Sequence, residues 1–374
     1  MRKKLLYLVA EDWYFCSHRE ELAKAALKKG YEVFVATRVT DHGERIEREG
    51  FHLFPIRIKR ARLNPFAELR TVLEIVSLYW KVKPDIVHHV ALKPVLYGSL
   101  AARVAGIPSV VNALAGMGFV FSSASMKAKV LRPFIRFLFK VLLAGRKRRL
   151  ILQNSDDVSM FVNDRIVPRE TVRLIRGSGV DISKFSPSPE PDGVPVVVLP
   201  ARLLRDKGVC EFVEAARRLR SAGVLGRFVL VGEIDPENPS SLSKHDVKKL
   251  TDEGIVECPG WSSDMASVFA EANLVCLPSY REGLPKALLE ALACGRAVVT
   301  TDVPGCREVV KHKYNGLLVP PRDAGVLADA LKSLILQPSV RREMGRRGRM
   351  FVETEFSSAR VIDETLSVYG ELLS

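Results

Sequence analysis

Leu277–Thr301 reads LPSYREGLPKALLEALACGRAVVTT. The order is strand end, exposed turn, helix and next strand. The apolar runs Leu274–Pro278 and Ala297–Thr300 on either side of a helical segment predict a strand–helix–strand unit of a parallel sheet. Glu282 and Glu290 bracket the turn and the first two helical turns, eight positions apart. Gly283 and Pro285 open the helix, a flexible residue followed by one suited to a first helical turn. Such an opening turns backbone N–H groups and the positive end of a helix dipole outward, which suits an anion. Glu282 beside it is itself an anion. A ligand with both phosphate and polyhydroxyl parts resolves the conflict.

Working outward, the second half of the chain repeats the strand–helix alternation. Val196–Pro200 is an apolar, β-branched strand, and ARLLRDKG follows it before a helix over Val209–Ser221. Arg202 and Lys207 stand on that loop, and paired cations at a strand's carboxyl end fit a diphosphate. Phe228–Val231 ends in Gly232–Glu233, and Val256–Pro259 ends in Gly260–Trp261. Ser357–Leu373 is a last amphipathic helix.

The first half has the same alternation. Leu5–Ala10 is a strand, EDWYFCS reads as a loop, and His18–Lys29 is a helix that Ser17 could cap. GxGxxG is absent, so no dinucleotide fingerprint is present. His18 is expected at the start of its helix, facing a crevice. DIVHHVALKP brings His88, His89 and Lys93 off another carboxyl edge. Neighbouring strand residues point to opposite faces, so one histidine packs inward and the other faces the cleft. The loop Ala115–Gly118 follows the next strand and carries Gly116. SPSPEPDGVP, Ser186–Pro195, has the proline and polar content of a linker.

Ser122–Arg149 holds nine basic residues and no acidic one, interleaved with apolar residues at helical spacing. An apolar stripe beside a basic face suits an anionic membrane interface, and Pro133 is expected to kink the helix or start a new one. The phenylalanines fall within the stripe rather than on an exposed stacking surface, which argues against nucleic acid.

The chain's 374 residues suffice for two domains, and a hydrophobic content of 47% supplies large cores. The net charge of +14 points to an anionic membrane, an anionic substrate, nucleic acid or simply a basic surface. Six scattered cysteines without a CxxC pair fit a reducing cytosol better than disulfides or zinc. MRKKLLYLVA starts like a signal segment, but EDWY ends the apolar run at once. No apolar run reaches the ~18–20 residues of a membrane span.

The expected organisation is a first domain over 1–186, a second over 195–355, and a terminal helix over 356–374 packing back toward the first. Both domains are expected to be doubly wound, Rossmann-like α/β units facing each other across a cleft, with ligands at the carboxyl edges of the strands.

Three stretches together resemble the retaining glycosyltransferases of the large GT4 family, which have the GT-B fold: ARLLRDKG, Glu282–x7–Glu290, and SYREGLPKALLEALACGRAVVTTDVPGCREVV. The likeness covers essentially the whole chain. EDWYFCSHR, DIVHHVALKP and HKYNGLLVPPRD are similar to a narrower subgroup acting on undecaprenyl-diphosphate-linked sugars, N-acetylgalactosaminyltransferases among them. The resemblance implies transfer of a hexose or N-acetylhexosamine from a UDP-sugar to a polyprenyl-diphosphate-linked acceptor, with no metal and no further cofactor. Arg202 and Lys207 would hold the donor diphosphate and the leaving group. Glu282, Gly283 and Leu284 would meet the donor sugar, Glu290 the ribose, and Glu233 and Trp261 the nucleoside. His18, His89, Lys93 and Gly116 would serve the acceptor side, with His89 among the catalytic residues. A family pattern HxH is broken here at Val90, and EDWYFCS stands where glycines are usual. The implied location is the cytoplasm, peripheral on the inner face of the cell membrane through 122–149. A sugar epimerase or phosphorylase-type reaction on the same fold is the enzymatic alternative. A non-catalytic basic membrane-surface or nucleic-acid binder is the other.

Overall fold

Apolar runs buried along their whole length make the central strands. Leu5–Val9 and Val197–Leu199 are both fully enclosed, as continuous runs are in parallel sheets covered on both faces. The structure, a computed structural model, describes residues 2–58, 64–114 and 126–374, the side chains of 126–131 excepted.

In the first unit, Met1–Ser178 with Val361–Ser374, β1 (Lys4–Glu11), β2 (Glu32–Arg38), β3 (His52–Pro55), β4 (Ile86–Val90), β5 (Ser109–Leu114), β6 (Arg148–Leu152) and β7 (Val172–Leu174) form one sheet. Its order is β3-β2-β1-β4-β5-β6-β7, and every pairing is parallel. Its helices are α1 (Asp12–His18), α2 (Glu20–Lys28), α3 (Gly43–Arg48), α4 (Pro65–Val82), α5 (Leu92–Val104), α6 (Met126–Leu142) and α7 (Ser155–Asn163).

The second unit, Gly179–Arg360, contains β8 (Val196–Pro200), β9 (Arg227–Val231), β10 (Glu257–Gly260), β11 (Leu274–Leu277), β12 (Ala297–Thr301) and β13 (Gly316–Val319). They pair in parallel in the order β10-β9-β8-β11-β12-β13. Around them lie α8 (Val209–Ser221), α9 (Lys244–Asp252), α10 (Met265–Ala270), α11 (Lys286–Ala293), α12 (Cys306–Val309), α13 (Ala324–Leu336) and α14 (Pro338–Glu355). The last helix, α15 (Ser358–Leu373), buries Val361, Val368, Tyr369 and Leu372 with Leu5, Tyr7 and Val9 of the first sheet. Strand order reverses between β1 and β4 in one unit and between β8 and β11 in the other. Ligands of open α/β sheets bind outside the carboxyl ends at such a switch point.

Four expectations change. EDWYFCS is not an open loop: Asp12 to His18 is α1. Asp12 is fully buried and accepts hydrogen bonds from the Thr40 hydroxyl (2.7 Å) and from the Thr40 and His42 N–H groups (2.6 and 3.0 Å). It ties the end of β2 in place and is closed to a ligand.

Second, α6 ends at Leu142 and runs through Pro133 without a break, while Arg148 and Arg149 belong to β6. The stretch 122–149 is therefore no single helix. Residues 122–125 and the side chains of Lys127 and Lys129 lie outside the described residues.

Third, Ser186–Pro195 is strapped to the second unit. Arg341 holds Glu190 through two nitrogens, the closest contact 2.6 Å. Arg296, almost fully buried, donates to Ser188 O (2.8 Å), Ser188 Oγ (2.6 Å) and Pro189 O (3.1 Å). Just before this segment, Arg349 donates to Ile182 O and Phe185 O. The compact units consequently divide at Ser178, eight residues before the compositional boundary at 186.

Fourth, His18 ends α1 instead of starting the next helix, which is α2.

Candidate functional site

The second unit gathers its polar side chains on the loops after β8, β9, β10 and β11, four neighbours in the sheet. A short 3₁₀ turn, Arg205–Lys207, precedes α8. Gly208 follows at φ 75°, and a Cβ there would lie 2.1 Å from Pro278 O, so only glycine permits this approach. Tyr280 N donates to Asp206 O at 2.9 Å. These two contacts press the Lys207 turn against the end of β11, at the switch point. Lys207 Nζ and Glu282 Oε1 are 2.5 Å apart, with side chains only 22% and 10% exposed.

Beyond Glu282 the chain passes buried Gly283 and half-buried Leu284, and Pro285 holds the extended position just before α11. Glu290 is five residues into that helix and buried, with Lys286 at 3.6 Å. Burial pushes its carboxyl pKa up, and the Lys286 charge only partly opposes this. Arg202 leaves β8 and is paired with Asp235 from the loop after β9. Glu233 is exposed on that same loop, and its carbonyl accepts from Leu203 N at 2.8 Å. Trp261 follows β10 and is exposed. Seven of the eight donor-side residues read from the sequence thus stand on segments following the carboxyl ends of strands in one sheet, and Glu290 lies in the second turn of the helix that follows β11.

In the first unit, His18 and Lys93 follow β1 and β4, the strands flanking that sheet's switch point. His18 stacks on Tyr14 at 4.1 Å, and its Nδ1 lies 2.6 Å from Ser17 Oγ. Lys93 Nζ is 2.8 Å from Glu68 Oε1. Gly116 lies outside the described residues.

His89 does not face a ligand. Both His88 and His89 are buried. His89 Nδ1 lies 2.8 Å from Asn112 Oδ1, so this nitrogen donates, and Nε2 accepts from the Tyr79 hydroxyl at 2.9 Å. Burial takes its pKa down to about 3, although the Asn112 bond works the other way. A neutral ring with both nitrogens occupied inside a core cannot touch substrate, which corrects the catalytic role read from the sequence. His88 Nδ1 lies 2.5 Å from the Tyr369 hydroxyl of α15. The strand periodicity holds, but both faces of this central strand are covered.

Three features were not read from the sequence. Asp235 partners Arg202. Tyr280 donates to Glu211 at 2.5 Å, with Arg322 4.5 Å above its ring. Ala91, between β4 and α5, has φ 79° and ψ 167°, a region essentially reserved for glycine. An alanine gives no local signal of such a backbone. Among the described residues, no group of three or more His, Cys, Asp or Glu side chains could hold a metal ion.

Two family models match the chain: "Glycosyl transferase 4-like" over residues 4–155 and "Glycosyl transferases group 1" over 194–337. Among curated relatives, the chain is 28% identical over 341 residues to the N,N'-diacetylbacillosaminyl-diphospho-undecaprenol alpha-1,3-N-acetylgalactosaminyltransferase of Campylobacter jejuni, covering 88% of each chain. It is 24% identical over 319 residues to an Escherichia coli UDP-Gal:alpha-D-GlcNAc-diphosphoundecaprenol alpha-1,3-galactosyltransferase, covering 82% of this chain and 80% of that one. Among solved structures, sucrose-phosphate synthase from Thermosynechococcus elongatus superposes with a TM-score of 0.81 at 20% identity, over 99% of both chains. Anabaena HepE in complex with UDP and glucose gives 0.77 at 19% identity, over 99% of this chain and 100% of that one. At such identities the structural likeness establishes the GT-B fold.

Proposed function

Since the chain belongs to the group 1 glycosyltransferases, with a glycosyltransferase 4-like amino-terminal half, we propose that it moves a hexose or N-acetylhexosamine from a UDP-sugar to a sugar carried on a polyprenyl diphosphate. The observation that carries this reading is the carboxyl-edge cluster at the β8/β11 switch point, with Lys207, Glu282 and Arg202 on adjacent loops. The relatives named for undecaprenyl-diphosphate-linked sugars supply the acceptor class.

In the reaction, the bond between the donor's anomeric carbon and its β-phosphate oxygen breaks. An acceptor hydroxyl oxygen bonds to that carbon on the same face, and its proton passes to the departing phosphate. Arg202 and Lys207 offset the charge that grows on the leaving UDP, the term that electrostatic catalysis relies on. Glu282 accepts from sugar hydroxyls and Glu290 from the ribose. His18 and Lys93 serve the acceptor side.

A lipid-linked acceptor needs an enzyme surface that meets the bilayer. Helices α4, α5 and α6 follow β3, β4 and β5 and lead on to β4, β5 and β6; right-handed connections put all three on one face of the sheet. Lys93 joins α5 to Glu68 of α4, and Arg103 of α5 donates to Ala144 O just beyond α6 at 2.9 Å. Phe66 and Leu73, Val104, and Phe134 point outward, as do Trp80 (58% exposed) and Phe137 (62% exposed). Exposed Arg70, Lys81 and Lys140 lie among them. This mixture favours peripheral attachment to an anionic leaflet on the cytoplasmic side. No helix of the described residues is long and apolar enough to cross a membrane.

The test is a UDP-sugar panel offered with undecaprenyl-diphosphate-linked sugar acceptors, reading UDP release and, by NMR, the anomeric configuration of the product. Acceptor-dependent release with an α-linked product is expected. Failure of every nucleotide sugar to bind overturns the reading.

A further inference from the structure

We propose that Asp235 is a positioning residue for the transfer reaction: it fixes Arg202 by one edge so that the rest of the guanidinium meets the donor diphosphate. The inference rests on the diphosphate role given to Arg202 above. Arg202 is 42% exposed at its side chain while Asp235 is 11% exposed, so the carboxylate is the enclosed partner and the arginine the solvent-facing one. The contact uses Nη1 of Arg202 and Oδ2 of Asp235. Among the described residues this is the arginine's one side-chain hydrogen bond, which leaves Nε and Nη2 to present a second edge. A planar fork held on one side can bind a phosphate bidentately on the other.

The loop that carries Asp235 is built to hold still. A Cβ at Gly232 would lie 1.9 Å from Ala201 O, so glycine alone lets the β9 loop lie against the β8 loop. Leu203 N donates to Glu233 O (2.8 Å), Arg205 N to Ser240 O (2.8 Å) and Leu242 N to Leu203 O (2.9 Å). Asp235 N itself donates to Ser241 Oγ at 2.9 Å. The 202–206 and 233–242 segments are therefore zipped together, with Asp235 directed at Arg202. An anchored carboxylate lowers the number of arginine rotamers that must be frozen when the leaving group develops charge, an advantage realised in turnover more than in donor binding.

The experiment is a double-mutant cycle of Arg202→Ala and Asp235→Ala, with Asp235→Asn as the conservative variant. Turnover, KM for the UDP-sugar and the Kd of UDP are measured alongside thermal unfolding. Asp235→Ala is expected to lower kcat about tenfold with KM changed less than about threefold. Asp235→Asn, whose amide oxygen still accepts from Nη1, restores most of the loss. In the Arg202→Ala background the Asp235→Ala effect vanishes. A persistent effect in that background overturns the proposal in favour of a purely structural aspartate. Tighter UDP binding in both Asp235 variants overturns it in favour of a carboxylate that competes with the diphosphate. Full turnover in Arg202→Ala alone strikes the diphosphate role of Arg202, a different failure from either.

Discussion

Lys207 and Glu282 meet at 2.5 Å although 75 positions separate them in sequence. The lysine we propose for the diphosphate is thus paired with the acid we propose for the sugar. In the proposed reaction a donor must either share this lysine or take it over, and Glu282 offsets the charge of the half-buried lysine. In the proposed mechanism, replacing Lys207 with alanine removes leaving-group stabilisation. Turnover is expected to fall about 100-fold, with the unfolding temperature little changed. Wild-type turnover in a folded Lys207→Ala protein would remove the lysine from the mechanism. Glu282→Gln should act in the opposite direction on binding alone, tightening UDP by up to roughly tenfold while turnover drops. Calorimetric titration with UDP reads the first effect and UDP-release kinetics the second.

Glu290 links the same site to pH. Burial raises its carboxyl pKa above the ordinary 4.5, so the folded protein holds this proton more tightly than the unfolded chain does. Stability from this group is fully present below about pH 4.5 and is lost as pH rises through the raised value. Glu290→Gln is therefore expected to unfold at a higher temperature than wild type at pH 7. The advantage should shrink toward pH 4, while affinity for UDP falls. A constant difference across that range in thermal scans would show that the carboxyl does not titrate in this way.

The backbone at Ala91 offers a test of strain. Glycine tolerates φ 79° and ψ 167°, and alanine pays about 1–3 kcal/mol for it. Ala91→Gly is expected to raise stability by about 1 kcal/mol, after the extra entropy of unfolded glycine is subtracted. An unchanged or lower denaturant midpoint would mean that the surrounding sheet does not store that strain. If the strained turn aims Lys93, the stabilised variant should also lose acceptor affinity.

The Tyr369 hydroxyl lies 2.5 Å from His88 Nδ1 and 3.1 Å from the Tyr7 hydroxyl, all buried. Tyr369→Phe leaves those two groups without this partner in an apolar interior. The expected cost is about 1–3 kcal/mol, together with faster hydrogen exchange along Ser358–Leu373. Exchange rates equal to wild type would show that α15 is held by its apolar contacts alone.

The outward apolar residues of α4 and α6 should govern membrane attachment. The pair Trp80→Ser and Phe137→Ser is expected to reduce flotation with phosphatidylglycerol vesicles and to leave UDP affinity intact. Added salt should release the wild type in part, because screening weakens only the basic component. Undiminished flotation of the double variant would move the contact elsewhere.

Much of this protein is determined within short windows of sequence. Apolar runs such as LLYLV and VVVLP become parallel strands because enclosure on both faces demands them. The turn REGLP starts a helix after β11 because its glycine and proline act locally. Those same rules put Arg202, Lys207, Glu233, Trp261 and Glu282 at one sheet edge. What local rules cannot carry is strand order and the partners it creates. The order β9-β8-β11 brings Asp235 to Arg202 and Glu282 to Lys207. The central place of β4 buries both of its histidines, although alternation alone left one of them free. Arg341 of α14 and Arg296, just before β12, turn a proline-rich segment that reads as a linker into a fixed strap. Periodicity records how a segment meets its surroundings, and only the folded chain decides what those surroundings are.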